Sequence, residues 1–310
     1  MKQIASPPFR RLSTAGLALG AAFVVLATAG SACAGNQLSF QYQDRDVARM
    51  VSLGGTCNRC ELSGRDLTGA AFTGATFTNA TLVGANLRGA ELVGSNFSGS
   101  DFSRADLSGA ELVGADFTGA NFSDANMTGA EAMGATLVRV RLVGADLSGA
   151  ALNGVNMNGA ILAGANLRDA ELNAATLANV NARGANFSDA EIAMSNLSNG
   201  DFRGANFREA SLNGARLTGG RFGGADFRGA SMNRTDLRGT DLSDARGLTQ
   251  EQVNRACGDA NTRLPGGLTP RACRGVTGVH VFHRTPVVPA PPAPPVPPRA
   301  RNLVVASSDR

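Results

Sequence analysis

Ala105-Asp-Leu-Ser-Gly-Ala-Glu-Leu-Val-Gly-Ala-Asp-Phe117 carries the pattern that decides the fold. A large apolar residue returns at every fifth position, here Leu107, Leu112 and Phe117, with Ala two residues before each. Gly follows two residues after Leu107 and Leu112. Carried outward in both directions, the frame holds from Leu62 to Leu242 without an insertion. The apolar centre is Leu, Phe, Met or Ile in 35 of 37 positions, Ala132 and Ala182 being the exceptions. Ala occupies 25 of 37 positions two before the centre, and Gly 24 of 37 two after it. A period of five matches neither the 3.6-residue helix nor the two-residue strand. It demands a backbone that turns once per repeat, and Gly after the centre suits that corner because it accepts positive φ at little cost.

Asp or Asn often stands directly before the centre, as in Asp106-Leu107 and Asn206-Phe207, completing an A(D/N)LXX motif. On these residues the chain resembles the pentapeptide repeat family over residues 57–246. The resemblance implies an all-β fold, a right-handed quadrilateral parallel β-helix with four repeats per coil, so that the chain returns to the same face every twenty positions. The 37 repeats then make about nine coils, and at the strand spacing of about 4.8 Å a rod roughly 43 Å long. The phenylalanines agree with that coil length. Of the 11 Phe centres, six pairs lie one implied coil apart and none lie half a coil apart, the bias expected if like rings stack between coils.

Composition narrows the function classes. The 310 residues contain no Trp, one Tyr and two His, so chemistry built on a histidine cluster is excluded. Hydrophobic residues still reach 43%, enough to bury a core of small side chains. The formal charge of +4 includes Lys2, Arg10 and Arg11. These precede an apolar stretch from Gly16 to Ala29 that is too short for a membrane span, and together they describe a signal peptide over residues 1–34. Ala32-Cys33-Ala34 fits a cleavage site giving a start at Gly35; a second reading makes Cys33 a lipidated N-terminus. The expected location is exported, periplasmic or secreted, with no transmembrane span after signal removal. The exported chain is then near neutral, and its basic balance does not indicate nucleic-acid binding.

Residues 35–56 form a lead-in to the repeats. Four cysteines remain after the signal: Cys57, Cys60, Cys257 and Cys273. Four allow three pairings, but on the implied rod the two pairs lie at opposite ends, beyond the roughly 7 Å that bridged Cα atoms span. That leaves Cys57–Cys60 and Cys257–Cys273 as expected staples, the latter closing a 17-residue loop. The alternatives for Cys57-Asn-Arg-Cys60 are a redox motif, whose βαβ context is missing, or zinc. Residues 247–275 leave the repeat as a cysteine-containing cap, with Leu248–Val253 read as a short helix N-capped by Thr249. Residues 276–310 read as a disordered tail, with eight Pro between positions 286 and 298.

With four repeats per coil, Glu91, Glu111, Glu131, Glu171 and Glu191 form one outward column interrupted by Ala151. The column reads either as a solvated face or as a strip for a basic partner. Later arginines are expected to pair with neighbours such as Asp169, Asp189 and Glu209. No nucleophile–base pair, phosphate loop or metal cluster is apparent, so no catalytic residue and no cofactor is expected. The leading expectation is a non-catalytic exported scaffold binding a protein or envelope component. For some cytoplasmic members the family resemblance implies DNA mimicry toward a type II topoisomerase. That function wants a strongly acidic surface, and residues 61–246 carry 20 acids against 15 Arg, a balance of −5. A redox or metal-binding envelope protein using Cys57 and Cys60 is the remaining alternative.

Overall fold

The computed structural model describes residues 55–273. The signal peptide, Cys33, most of the lead-in, and the Pro-rich tail fall outside them. Within them the five-residue period becomes a four-sided coil. The residue before each centre, from Thr56 to Asp226, forms a parallel bridge with the residue twenty further on, as in Glu91 with Glu111 and Asp106 with Asn126. Ladder positions recur at every fifth residue, so each coil contributes to four sheet faces, each one ladder residue wide.

Every side is tied to its neighbours in the same way. The centre N–H donates to the ladder carbonyl of the next coil, as Leu107 N–H to Asn126 O at 2.7 Å. The ladder N–H donates back, as Asp106 N–H to Ala85 O at 2.9 Å, and the corner N–H goes forward, as Gly109 N–H to Thr128 O at 3.0 Å. Between centre and inward Ala the chain makes a tight turn, closed by bonds such as Ala110 N–H to Leu107 O at 3.0 Å. The residue two after the centre has positive φ from Gly64 to Gly239, 62° at Gly109 for example, which is why Gly dominates there. Twelve of these corners manage it without Gly; Ala174 at 55° and Met194 at 59° do so with side chains ill suited to it.

The centres and the inward small residues fill the interior. Every centre from Leu62 to Leu242 is buried, including Ala132 and Ala182. All six Phe pairs separated by one coil stack, with interplanar angles from 3° for Phe187–Phe207 to 19° for Phe77–Phe97. Phe pairs one repeat apart meet at an edge or tilted, as Phe72–Phe77 at 87° and Phe222–Phe227 at 52°. At Gly200 and Gly220 the inward position has no side chain because none would fit. A Cβ there would lie 2.4 Å from the Phe202 ring and 2.6 Å from the Phe222 ring. Where Ser or Thr replaces Ala inside, its hydroxyl can satisfy a turn carbonyl one coil earlier. Ser100 donates to Phe77 O at 2.7 Å and Thr240 to Leu217 O at 2.9 Å.

The sequence period ends at Arg246, but the ladders run on. Asp236 pairs with Cys257 and Asp241 with Arg263, steps that exceed the regular coil by one position and by two. One extra residue falls in the segment 247–257, where helix α1, Gln250–Arg255, replaces the ladder on one face, and the other between Cys257 and Arg263. Its N-cap is Thr249, as expected, but the helix starts at Gln250 and continues past Val253 to Arg255. Gln252 completes a capping box with Thr249, and its amide donates to Phe227 O (2.9 Å) and Ala230 O (2.8 Å), fastening α1 to the last complete coil.

Candidate functional site

Cys57 and Cys60 fall where the solenoid phase puts them, on a centre and an inward position, and Cys257 and Cys273 lie beyond the repeat. Cys57 and Cys60 are the ends of the first corner, packed against the core, with Cα atoms 5.8 Å apart. Cys257 and Cys273 approach to 4.6 Å beside the Gly258–Ala272 bridge. Both pairs are disulfide-capable on Cα separation. A metal-compatible cluster, Asp236 with Cys257 and Cys273, has its ligand atoms within 4.8 Å of one another. Its carboxylate is already committed to Arg238, whose Nε donates to Oδ1 at 2.9 Å, so the cluster is a poor cation cradle. No helix among the described residues is long and apolar enough to cross a membrane.

The four faces differ in how their polar ladders are satisfied. On one, Asp66 through Asp226, Asn amides donate to the residue one coil earlier, as Asn126 to Asp106 (3.0 Å) and Asn206 to Asn186 (2.9 Å). The same oxygens accept the N–H two residues on, as Ser108 N–H to Asp106 at 3.0 Å, so one side-chain oxygen of each ladder residue on this face is engaged within the face. The glutamate column lies on the next face. Glu91, Glu111 and Glu131 are bridged consecutively, as are Glu171 and Glu191, with Ala151 between the two groups. All five are exposed. Glu171 and Glu191 accept from the Asn153 and Asn173 amides at 2.8 and 3.0 Å. Glu91, Glu111 and Glu131 have no side-chain partner among the described residues.

In the later coils acids are clasped by arginine two residues on. Asp201 is held by Arg203 (2.6 Å) and, from the previous coil, by Arg183 (2.8 Å). Arg228 grips Asp226, Nε donating to Oδ1 at 2.9 Å, and Arg238 grips Asp236 at 2.6 Å. Of the later arginines, Arg183, Arg203, Arg228 and Arg238 pair with acids, but with Asp201, Asp226 and Asp236 and not with the expected Asp169, Asp189 or Glu209. Arg208, Arg216, Arg221 and Arg234 form no ion pair among the described residues, and Asp169 and Asp189 are engaged by Arg168. Asp226 is only 5% exposed. Its contacts with Arg228 overcome the opposing effect of burial and hold its carboxyl at about pKa 2, with Arg208 adding to the pull. Burial opposes ionisation of Asp236 too, but Arg238 and Arg216 keep its pKa below the usual range. The signal for these clasps, Asp-Phe-Arg at 201–203 and 226–228 and Asp-Leu-Arg at 236–238, is readable in the sequence once ladder and corner positions are known.

Beside the end of α1 lies an open depression of about 620 Å³, lined by Ala193, Met194, Asn213, Asn233, Arg234 and Arg255. Arg255 is engaged by Glu251, so the depression does not concentrate positive charge.

A repeating four-sided solenoid with this motif has a recognised counterpart. The pentapeptide repeat profile matches residues 60–99, 100–137, 141–177, 165–204 and 205–244. The chain belongs to the pentapeptide repeat family, whose fold is the right-handed quadrilateral β-helix. Among solved structures it is similar to a trypsin-treated variant of QnrB1, a plasmid-mediated fluoroquinolone resistance protein. The identity is 25% and the TM-score 0.50, covering 66% of this chain and 91% of that one. It is also similar to HetL of the cyanobacterium Nostoc sp., a pentapeptide repeat protein involved in heterocyst differentiation regulation. There the identity is 27% and the TM-score 0.47, covering 71% and 98%. No curated protein matches.

Proposed function

We propose that the chain is a non-catalytic, exported scaffold, a capped rod of about nine coils that presents one side face to a protein or envelope component. The glutamate column carries this reading. A row of carboxylates kept in register by consecutive bridges is an extended recognition surface. In water, like charges about 4.8 Å apart cost roughly 1 kcal/mol per pair, which a basic partner relieves. The signal-like segment ahead of Gly35 supports export, and Cys57–Cys60 and Cys257–Cys273 are then structural disulfides suited to an oxidising compartment.

Intact mass of natively expressed protein from separate cell fractions, with alkylation before reduction, tests location and staples together. A periplasmic or secreted species starting at Gly35 with no alkylated cysteine is expected; a full-length cytoplasmic species with free thiols overturns export. Photo-crosslinkers placed on each of the four faces then test the scaffold. A specific adduct on at least one face is expected, and none on any face defeats the reading.

The similarity to a fluoroquinolone resistance protein favours a second reading, action on a type II topoisomerase. A supercoiling assay with fluoroquinolone, unchanged by added protein, would retire it.

A further inference from the structure

The scaffold reading points to the glutamate face but not to where along it a partner sits, and three coils stand apart from the rest. At Glu91, Glu111 and Glu131 the residue two positions on, at the adjoining corner, is Val93, Val113 and Met133. These corners stack directly: Gly94 N–H donates to Val113 O at 2.9 Å and Gly114 N–H to Met133 O at 3.0 Å. Val93 and Val113 are half-buried and Met133 is 44% exposed. Asn153 ends the apolar column in the following coil, and from there its amide and that of Asn173 satisfy the remaining glutamates. An apolar corner column and a row of unpartnered carboxylates therefore run side by side over three successive coils and nowhere else along this face.

We propose that this patch docks a basic amphipathic α-helix of a partner protein, lying along the solenoid axis. Its Lys or Arg residues would lie over Glu91, Glu111 and Glu131, and its apolar side over Val93, Val113 and Met133. Charge complementarity sets the chemistry of the occupant, and spacing sets its conformation. Two coil steps cover about 9.6 Å at the usual strand separation. Positions i, i+3 and i+7 of an α-helix span about 10.5 Å. Three same-side residues of an extended strand span about 13 Å and run out of register with the column. A helix also carries its basic and apolar residues as adjacent stripes, which is how the face offers their complements.

The inference rests on the scaffold reading but fails separately from it. The test is fluorescence anisotropy of the full chain with two labelled 18-residue peptides of equal charge. One is helical, with Lys at i, i+3 and i+7 beside a Leu stripe; the other is extended, alternating Lys and Val. The helical probe is expected to bind. Glu111→Lys should weaken it by about tenfold or more, since reversing a facing charge acts on both attraction and encounter, and Val113→Asn by about threefold to fivefold as apolar contact is lost. Glu209→Gln removes one exposed carboxylate from outside the column and should change binding by less than about twofold if the effect is local and not a net-charge effect. The proposal is overturned if the extended probe binds as tightly, if Glu209→Gln weakens binding as much as Glu111→Lys, or if the helical probe does not bind. Crosslinks on another face combined with a silent helical probe would remove this patch and leave the scaffold standing.

Discussion

Glu111-Leu-Val113 and Asp226-Phe-Arg228 occupy the same three positions of the repeat, on neighbouring faces and nearly six coils apart. In both, an acid sits on the ladder, an apolar centre points inward, and the third residue turns the corner. At Asp226 that third residue is an arginine that folds back onto the carboxylate, and the acid becomes part of the wall. At Glu111 it is a valine that cannot do so, and the acid remains available to solvent or to another molecule. In this pair the residue two positions on separates an acid clasped into the wall from one left open to solvent. The early coils follow the second pattern on the glutamate face, and Asp201, Asp226 and Asp236 follow the first.

The largest effect that should separate the two regions comes from the end staple. If Cys257 and Cys273 are bridged, Cys257→Ser in the oxidised protein should cost about 3 kcal/mol, the loop-closure estimate for a 17-residue loop. Because each coil contacts only its neighbours, hydrogen exchange should rise in the coils beyond Arg216 and stay unchanged around Glu111. Uniform loss of protection would mean that the two regions melt as one unit. Gly220→Ala comes next. Its Cβ would lie 2.6 Å from the Phe222 ring, so about 1–3 kcal/mol should be lost by overpacking. Ala120, two residues before Phe122 at the equivalent inward position, already accommodates a methyl group, and Ala120→Gly should cost only about 0.5–1 kcal/mol. Urea denaturation of the pair checks the contrast.

Asp226→Asn is expected to have a smaller effect at neutral pH and a diagnostic one in acid. The native carboxyl titrates at about 2, below its ordinary value of 3.8. Its contribution is therefore fully present above 3.8 and is lost as pH falls through about 2. Acid unfolding between those values should be shallower in the variant than in the parent, and identical profiles would show that the clasp does not stabilise. Val113→Arg should have the smallest effect on stability, under about 1 kcal/mol, because it builds only an exposed pair with Glu111. It should nonetheless abolish binding of the helical probe by copying the clasp of Asp226. A variant that still binds would break the comparison on which the two patterns rest.

Much of this was legible before any coordinates. The unbroken frame from Leu62 to Leu242 fixes which residues point inward, and Phe spacings of one coil imply the stacks seen at Phe102–Phe122 and Phe202–Phe222. The glutamate column follows from the same arithmetic. Three things did not follow. The ladders beyond Arg246 were hidden because one residue is inserted before Cys257 and one more before Arg263, which erases the period without ending the sheet. The arginine partners were sought along the chain surface in general, whereas the geometry favours the residue two positions on. The division of the glutamate column was also hidden, because it depends on corner residues reaching across to the next coil, as Asn153 does to Glu171.

The coil also works as a dial. With four sides per turn and every side built alike, deleting four whole repeats between Glu131 and Glu171 would shorten the rod by one storey and leave each face aligned. Deleting a single repeat would keep the interior equally well filled but rotate everything beyond the cut by a quarter turn. Glu171 and Glu191 would then stand around the corner from Glu91, Glu111 and Glu131, and two groups of carboxylates that share one side would face different directions. In a chain of this kind the length of a deletion, more than its content, decides which recognition elements share a side.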